Sequence, residues 1–82
     1  MSEATLLTRV NEVFRSVFDD PNLTVSLATT AKDVPDWDSI MHITLVIEIE
    51  REFNVKFQMA EIARLHNVGD LVAILATKQS HG

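Results

Sequence analysis

Asp38-Ser39-Ile40-Met41-His42-Ile43-Thr44-Leu45-Val46-Ile47-Glu48-Ile49-Glu50-Arg51-Glu52-Phe53 is the stretch that decides the fold. Wound at 3.6 residues per turn, Leu45, Val46, Ile49 and Phe53 gather on one face with His42, and Ile43 falls at its edge. That face predicts a helix from Ser39 to Phe53 packed against a core. The opposite face holds Ile40, Met41, Thr44, Ile47, Glu48 and Arg51. It is half apolar, which a purely solvated face rarely needs. The run from Ile40 to Ile49 is interrupted by Glu48 and falls short of the roughly 18 apolar residues that a membrane span requires.

Upstream, Leu6, Val10, Val13, Phe14 and Val17 share a helical face, with Arg9, Glu12 and Arg15 outside it, predicting a helix over 4–18. Ser2 or Thr5 suits its N-cap, and Asp19-Asp20-Pro21-Asn22 ends it. Residues 21–38 form a long connection rich in Thr, Ser and Asp, and connections of that length are often functional. Leu23, Val25 and Leu27 alternate there as in a strand. No second strand is available to pair with them, so they read as loop anchors on the core. Downstream, Asn54-Val55-Lys56-Phe57 breaks the chain and 59–65 reads as a short helix closed by His66-Asn67. Asn67 caps a last helix over 68–77 with Leu71, Ile74 and Leu75 inside. The expected fold is all-α: a single domain over 1–82, a small four-helix bundle with a long loop between the first two helices and a short third helix.

Composition narrows the functions open to the chain. At 82 residues there is room for one core but not also for an enclosed active site. A domain of this size keeps only about 3–5 kcal/mol of net stability. Cysteine is absent, which removes disulfides, thiolate metal sites and a cysteine nucleophile. The net charge of −5 is uneven: residues 1–32 carry −1, residues 33–54 carry −5 and residues 55–82 carry +1. Such a field disfavours nucleic acid and steers toward basic protein surfaces, although an ordinary solvated acidic face looks the same in a sequence. The acidic start, Met1-Ser2-Glu3, is unlike a signal peptide, and a cytoplasmic monomer is expected. His42, His66 and His81 have no metal-site spacing.

Ser39 is the hydroxyl best placed for chemistry, at the junction between the Val34-Pro35-Asp36-Trp37 segment and the helix. Its plain reading is a cap, with Asp38 or Ser39 accepting from backbone N–H groups. His42, three residues on, invites a Ser-His nucleophile with Asp38 or Asp36 as third member. No oxyanion donors or substrate pocket are recognisable, however, and a hydrolase needs both. A hydrogen-bonded histidine at the core edge is the better reading of His42, and a loop anchor that of Trp37. No glycine-rich phosphate loop is present.

These residues together resemble the acyl carrier protein family, including the carrier domains of polyketide and nonribosomal peptide assembly lines. Asp38-Ser39-Ile40 is similar to the family's Asp-Ser-Leu. It is joined by Leu45 through Phe53, by Val55 and Phe57, and by Asn67-Val68-Gly69-Asp70-Leu71, so the likeness spans most of the chain. The resemblance implies that Ser39 is the covalent attachment site of 4′-phosphopantetheine. A phosphopantetheinyl transferase takes the arm from coenzyme A with magnesium, and the arm's thiol then carries acyl or aminoacyl groups as thioesters. The partners implied are that transferase and acyl-loading and acyl-transferring enzymes with basic or apolar docking patches. The chain itself would be no enzyme. Asp38, Ile40, Met41, Ile47, Glu48, Glu50, Arg51 and Glu52 are the docking candidates.

Departures from the family pattern bear on pathway. Fatty-acid carriers place acids on the first turns of this helix, where Met41 and Thr44 stand here. Arg51 replaces another acid, and the third segment reads Met59-Ala60-Glu61-Ile62-Ala63-Arg64. A specialised route (polyketide, nonribosomal peptide, modified lipid or saccharide assembly) is expected rather than central fatty-acid biosynthesis. By analogy Ile43, Val46, Ile62, Leu65 and Val68 would line an acyl cleft, though as residues they read as core. Bulky Leu65 and Phe57 would keep that cleft small and favour a short or polar cargo. The rival reading is a carrier-like helical interaction module that is never modified.

Overall fold

The computed structural model describes residues 2–80, in which four α-helices enclose one core. Helix α1 spans Glu3–Val17, α2 Ser39–Phe53, α3 Met59–Ala63 and α4 Val68–Ser80. Each begins where a side chain or a neighbouring carbonyl meets the unpaired N–H groups of a first turn. Ser2 caps α1 by accepting from the Thr5 N–H at 3.1 Å. Asn67 caps α4 by accepting from the Asp70 N–H at 2.8 Å. Helix α3 starts with a capping box between Gln58 and Glu61 and ends after five residues, two short of the expected Leu65. It buries no residue fully.

The core follows the periodicity. Leu6, Val10, Val13 and Phe14 of α1, Leu45, Ile49 and Phe53 of α2, and Val68, Leu71, Val72 and Leu75 of α4 are buried together with Val25 and Val34 of the connection. Ile74, expected on the inner stripe of α4, is half-buried and Val72 takes its place. Ile43 is corrected more strongly: placed at the edge of the core by its position on the wheel, it is 60% exposed. Val46 and Val68 are buried as expected, while Ile62 and Leu65 are half-buried.

Helix α1 ends in a Schellman turn. Asp19 takes the left-handed conformation, φ 51°, and the Asp19 and Asp20 N–H groups return to the carbonyls of Ser16 and Arg15. The chain from Phe18 to Asp38 then crosses to α2 without pairing as a strand. Val25 is buried, with Leu23 and Leu27 packed against the core beside it.

Asn11, a polar residue 7% exposed on the inner side of α1, fastens this segment. Its Oδ1 accepts from the Val25 N–H at 2.7 Å, and its Nδ2 donates to the Val25 carbonyl at 3.0 Å. Farther on, the Leu27 and Thr29 carbonyls accept from the Gly69 and Val68 N–H groups at 2.8 and 2.9 Å. The connection thereby satisfies the open donors at the start of α4. A 3-10 helix at Ala31–Asp33 follows, with Thr30 and Asp33 forming its capping box.

Candidate functional site

Asp38, and not Ser39, is the N-cap of α2. Its Oδ1 accepts from the Met41 N–H at 2.9 Å. Of the two capping residues the local sequence allows, the one with a carboxylate takes the task. Ser39 occupies the first helical position, exposed, and its hydroxyl makes no hydrogen bond among the described residues. A serine relieved of capping keeps a free nucleophilic oxygen at the positive end of a 15-residue helix. That end favours negative charge such as a phosphodiester. The hydroxyl thus fits a phosphate-linked group in both access and field.

Trp37 fixes the approach to this helix. Its ring stands edge-on to Phe14, centroids 5.3 Å apart, and to Phe18 at 6.4 Å. Its Nε1–H donates to His42 Nδ1 at 3.0 Å. Trp37 is therefore the loop anchor read from the sequence, and His42 is a hydrogen-bonded histidine at the margin of the core. A shallow open groove runs beside Ser39, walled by Ala31, Trp37, His42, Ile43, Leu65 and His66. His66 lines the same groove, and no cluster of three metal-ligating side chains forms among the described residues. His81 lies outside the described residues.

Beneath that groove the packing nearly closes. A gap of about 10 Å³ remains between α2 and the start of α4, lined by Val46, Leu65 and Val68 along with Trp37 and His42. That volume is at the threshold for one water molecule and far below what an acyl chain occupies. Ile43 and Ile62, the other two expected lining positions, are not among its walls.

The outward face of α2 carries an apolar stripe: Ile40 is 75% exposed, Ile43 60% and Ile47 48%. Three large aliphatic side chains within about 60° of one helical wheel make a patch that water alone does not explain. Met41 is half-buried and stands about 100° around the helix from Ile40, and Met59 of α3 is exposed. Sequence reading had missed Ile43 as a member of this stripe. The signal was present, because 40, 43 and 47 are spaced as one helical face.

The acidic candidates are more committed than the sequence suggests. Glu50 accepts from the Phe57 N–H at 2.8 Å, holding the turn after α2. Glu52 pairs with Arg9 at 2.9 Å, and the same guanidinium lies 4.5 Å over the Phe53 ring. Glu48 pairs with Arg51 at 3.2 Å on the exposed surface.

Residues 8–75 match the family model described as the phosphopantetheine attachment site. The chain is also similar to a solved holo acyl carrier protein from Geobacter metallireducens. The two are 34% identical and superpose with a TM-score of 0.87, covering 93% of this chain and 87% of that one.

Proposed function

Because the chain belongs to the phosphopantetheine-attachment family of acyl carrier proteins, we propose that Ser39 is its attachment residue and that it serves a specialised biosynthetic route. The protein is a carrier with 4′-phosphopantetheine as its prosthetic group, and carriers of this family are not catalysts. The arm supplies, when bound, a terminal thiol that holds an acyl or aminoacyl group as a thioester.

The single observation that carries the assignment of Ser39 is the division of labour at the start of α2. Asp38 caps the helix and leaves the neighbouring hydroxyl exposed and unengaged. In loading by a phosphopantetheinyl transferase, the Ser39 Oγ–H bond is lost and an Oγ–P bond forms. The pyrophosphate bond of coenzyme A breaks, and adenosine 3′,5′-bisphosphate leaves. The Ser39 and Ile40 backbone N–H groups, which the Asp38 cap does not use, lie at the helix end nearest the new negative charge. Ser39 needs no base from its own chain, since the transferase supplies the acceptor for the proton.

The outward face of α2 supports a dedicated partner set. Ile40, Ile43 and Ile47 offer apolar contact, and Asp38 and the exposed Glu48–Arg51 pair supply charge. Glu50 and Glu52 contribute to the local field, but their carboxylates are held by the Phe57 N–H and by Arg9. The nearly closed interior supports a short or polar cargo. Among the described residues no helix is long and apolar enough to cross a membrane.

Intact mass tests the attachment. Incubation with coenzyme A, magnesium and a broad-specificity transferase should add one phosphopantetheine to the protein and none to Ser39→Ala. An unmodified wild-type chain, from its native host as well as from this reaction, would instead favour the unmodified interaction module.

A further inference from the structure

His42 occupies the wall of the Ser39 groove in a defined protonation form. An indole N–H can only donate, so the 3.0 Å bond from Trp37 Nε1 requires a lone pair on His42 Nδ1. The neutral imidazole then carries its proton on Nε2. That nitrogen meets no hydrogen-bond partner among the described residues. No buried side-chain nitrogen or oxygen described there lacks a partner, so Nε2 is open to solvent. The groove that His42 lines is the one Ser39 lines. The two residues stand at i and i+3 on α2, the spacing at which side chains are neighbours on a helix surface.

From this we infer that His42 is a positioning residue for the arm, donating from Nε2–H to the phosphodiester at Ser39, and that Trp37 holds it in the tautomer able to do so. This rests on Ser39 being the attachment residue. Few other side-chain donors are available for the role. Asp38 presents only acceptors, Ala31, Ile43 and Leu65 present none of either kind, and the other imidazole lining the groove, His66, does not share the i, i+3 spacing that places His42 beside Ser39 on α2. The contact would bias the arm toward the groove and away from Ile40 and Ile47 on the outer face of α2.

Long-range 1H–15N spectra of the imidazoles, recorded on the apo protein and after transferase loading, test this directly, with intact mass confirming the load. The expected result is a protonated Nε2 and bare Nδ1 in both forms. Loading should move the His42 Nε2–H proton downfield and slow its exchange with water about tenfold, as a hydrogen bond to a charged acceptor does. Two variants separate positioning from packing. His42→Asn keeps an acceptor near Nδ1 for Trp37 but withdraws the outer donor, whereas His42→Gln restores an N–H near the Nε2 position. The 31P line of the loaded protein should shift in His42→Asn and return toward wild type in His42→Gln, with tryptophan fluorescence reporting that the fold is intact. A loaded protein whose His42 signals match those of the apo form, and whose 31P line matches that of loaded His42→Asn, would overturn the inference while leaving Ser39 as attachment residue. An Nδ1-protonated tautomer would overturn it equally. Failure of any mass gain would remove the attachment reading and this inference together.

Discussion

Replacing Asn11 by Ala should cost this domain a large part of its stability, although Asn11 is far along the chain from Ser39. The Val25 backbone N–H and carbonyl both depend on the Asn11 amide, at 2.7 and 3.0 Å, and Val25 is 2% exposed. Removing the amide strands one donor and one acceptor where water does not easily follow, each worth about 1–3 kcal/mol. The Leu7 carbonyl, which also accepts from Asn11 Nδ2, is less affected because it lies within α1 and keeps its helical bond. Water entering the space left by the amide reduces the penalty, so a loss of about 2–3 kcal/mol is expected. Against the roughly 3–5 kcal/mol available to a helical domain of this length, that is about half. Urea unfolding followed by circular dichroism should show the midpoint falling by about half with the slope nearly unchanged. Amide exchange at Val25 should accelerate more than exchange in α4. A stability change under about 0.5 kcal/mol, with Val25 still protected, would refute the idea that this bridge holds the connection to α1.

Gly69→Ala is expected to destabilise by about 1 kcal/mol, since overpacking outweighs the helix propensity gained. Its Cβ would stand 2.9 Å from the Leu27 carbonyl and 3.1 Å from Asn67 Oδ1; a higher thermal midpoint would contradict this. Glu61 titrates below its ordinary value because the Gln58 backbone N–H, and then Lys78, stabilise its carboxylate. A lowered folded value means that this contribution is present above the unfolded pKa near 4.5 and lost as pH falls through the folded value. The unfolding midpoint of wild type should therefore drop more steeply below pH 4.5 than that of Glu61→Gln, and parallel curves would contradict it. Ile43→Ser should leave the unfolding free energy within about 0.5 kcal/mol of wild type yet slow transferase loading. The Asp38→Asn and Glu48→Gln effects on loading should be larger at low salt, because exposed charges act through screened steering. Loading rates indifferent to all three substitutions would place the partner surface elsewhere.

The helices were legible because their inner faces carry a period of 3.6 strong enough to outvote local ambiguity: Leu45, Val46, Ile49 and Phe53 fall inside as their spacing requires. The positions that resisted reading are those where one residue answers to two demands. Glu50 and Glu52 lie on an acidic run and read as docking charges, but a backbone N–H seven residues away and an arginine from α1 claim them. Such partners are distant in sequence and leave no local trace. Asn11 is similar, a polar residue on an apolar face whose partner, Val25, is set by the path of the connection. Ile43 was misplaced for another reason. It sits at the boundary between two apolar arcs, and only the crossing of α2 over its neighbours decides which arc meets the core. Ser39 was legible as a candidate, but not its freedom from capping, since Asp38 and Ser39 are equally good caps by residue type.

Helix α3 buries no side chain completely, and its anchors are a capping box, the Glu61–Lys78 pair at 2.9 Å and the flanking Phe57. Most substitutions along it therefore change folding free energy little, unlike those on the inner face of α2. The exposed positions Met59, Ala60 and Ala63 can be substituted with Ser39 and its groove left intact, which makes α3 the place to attach a probe without disturbing the site.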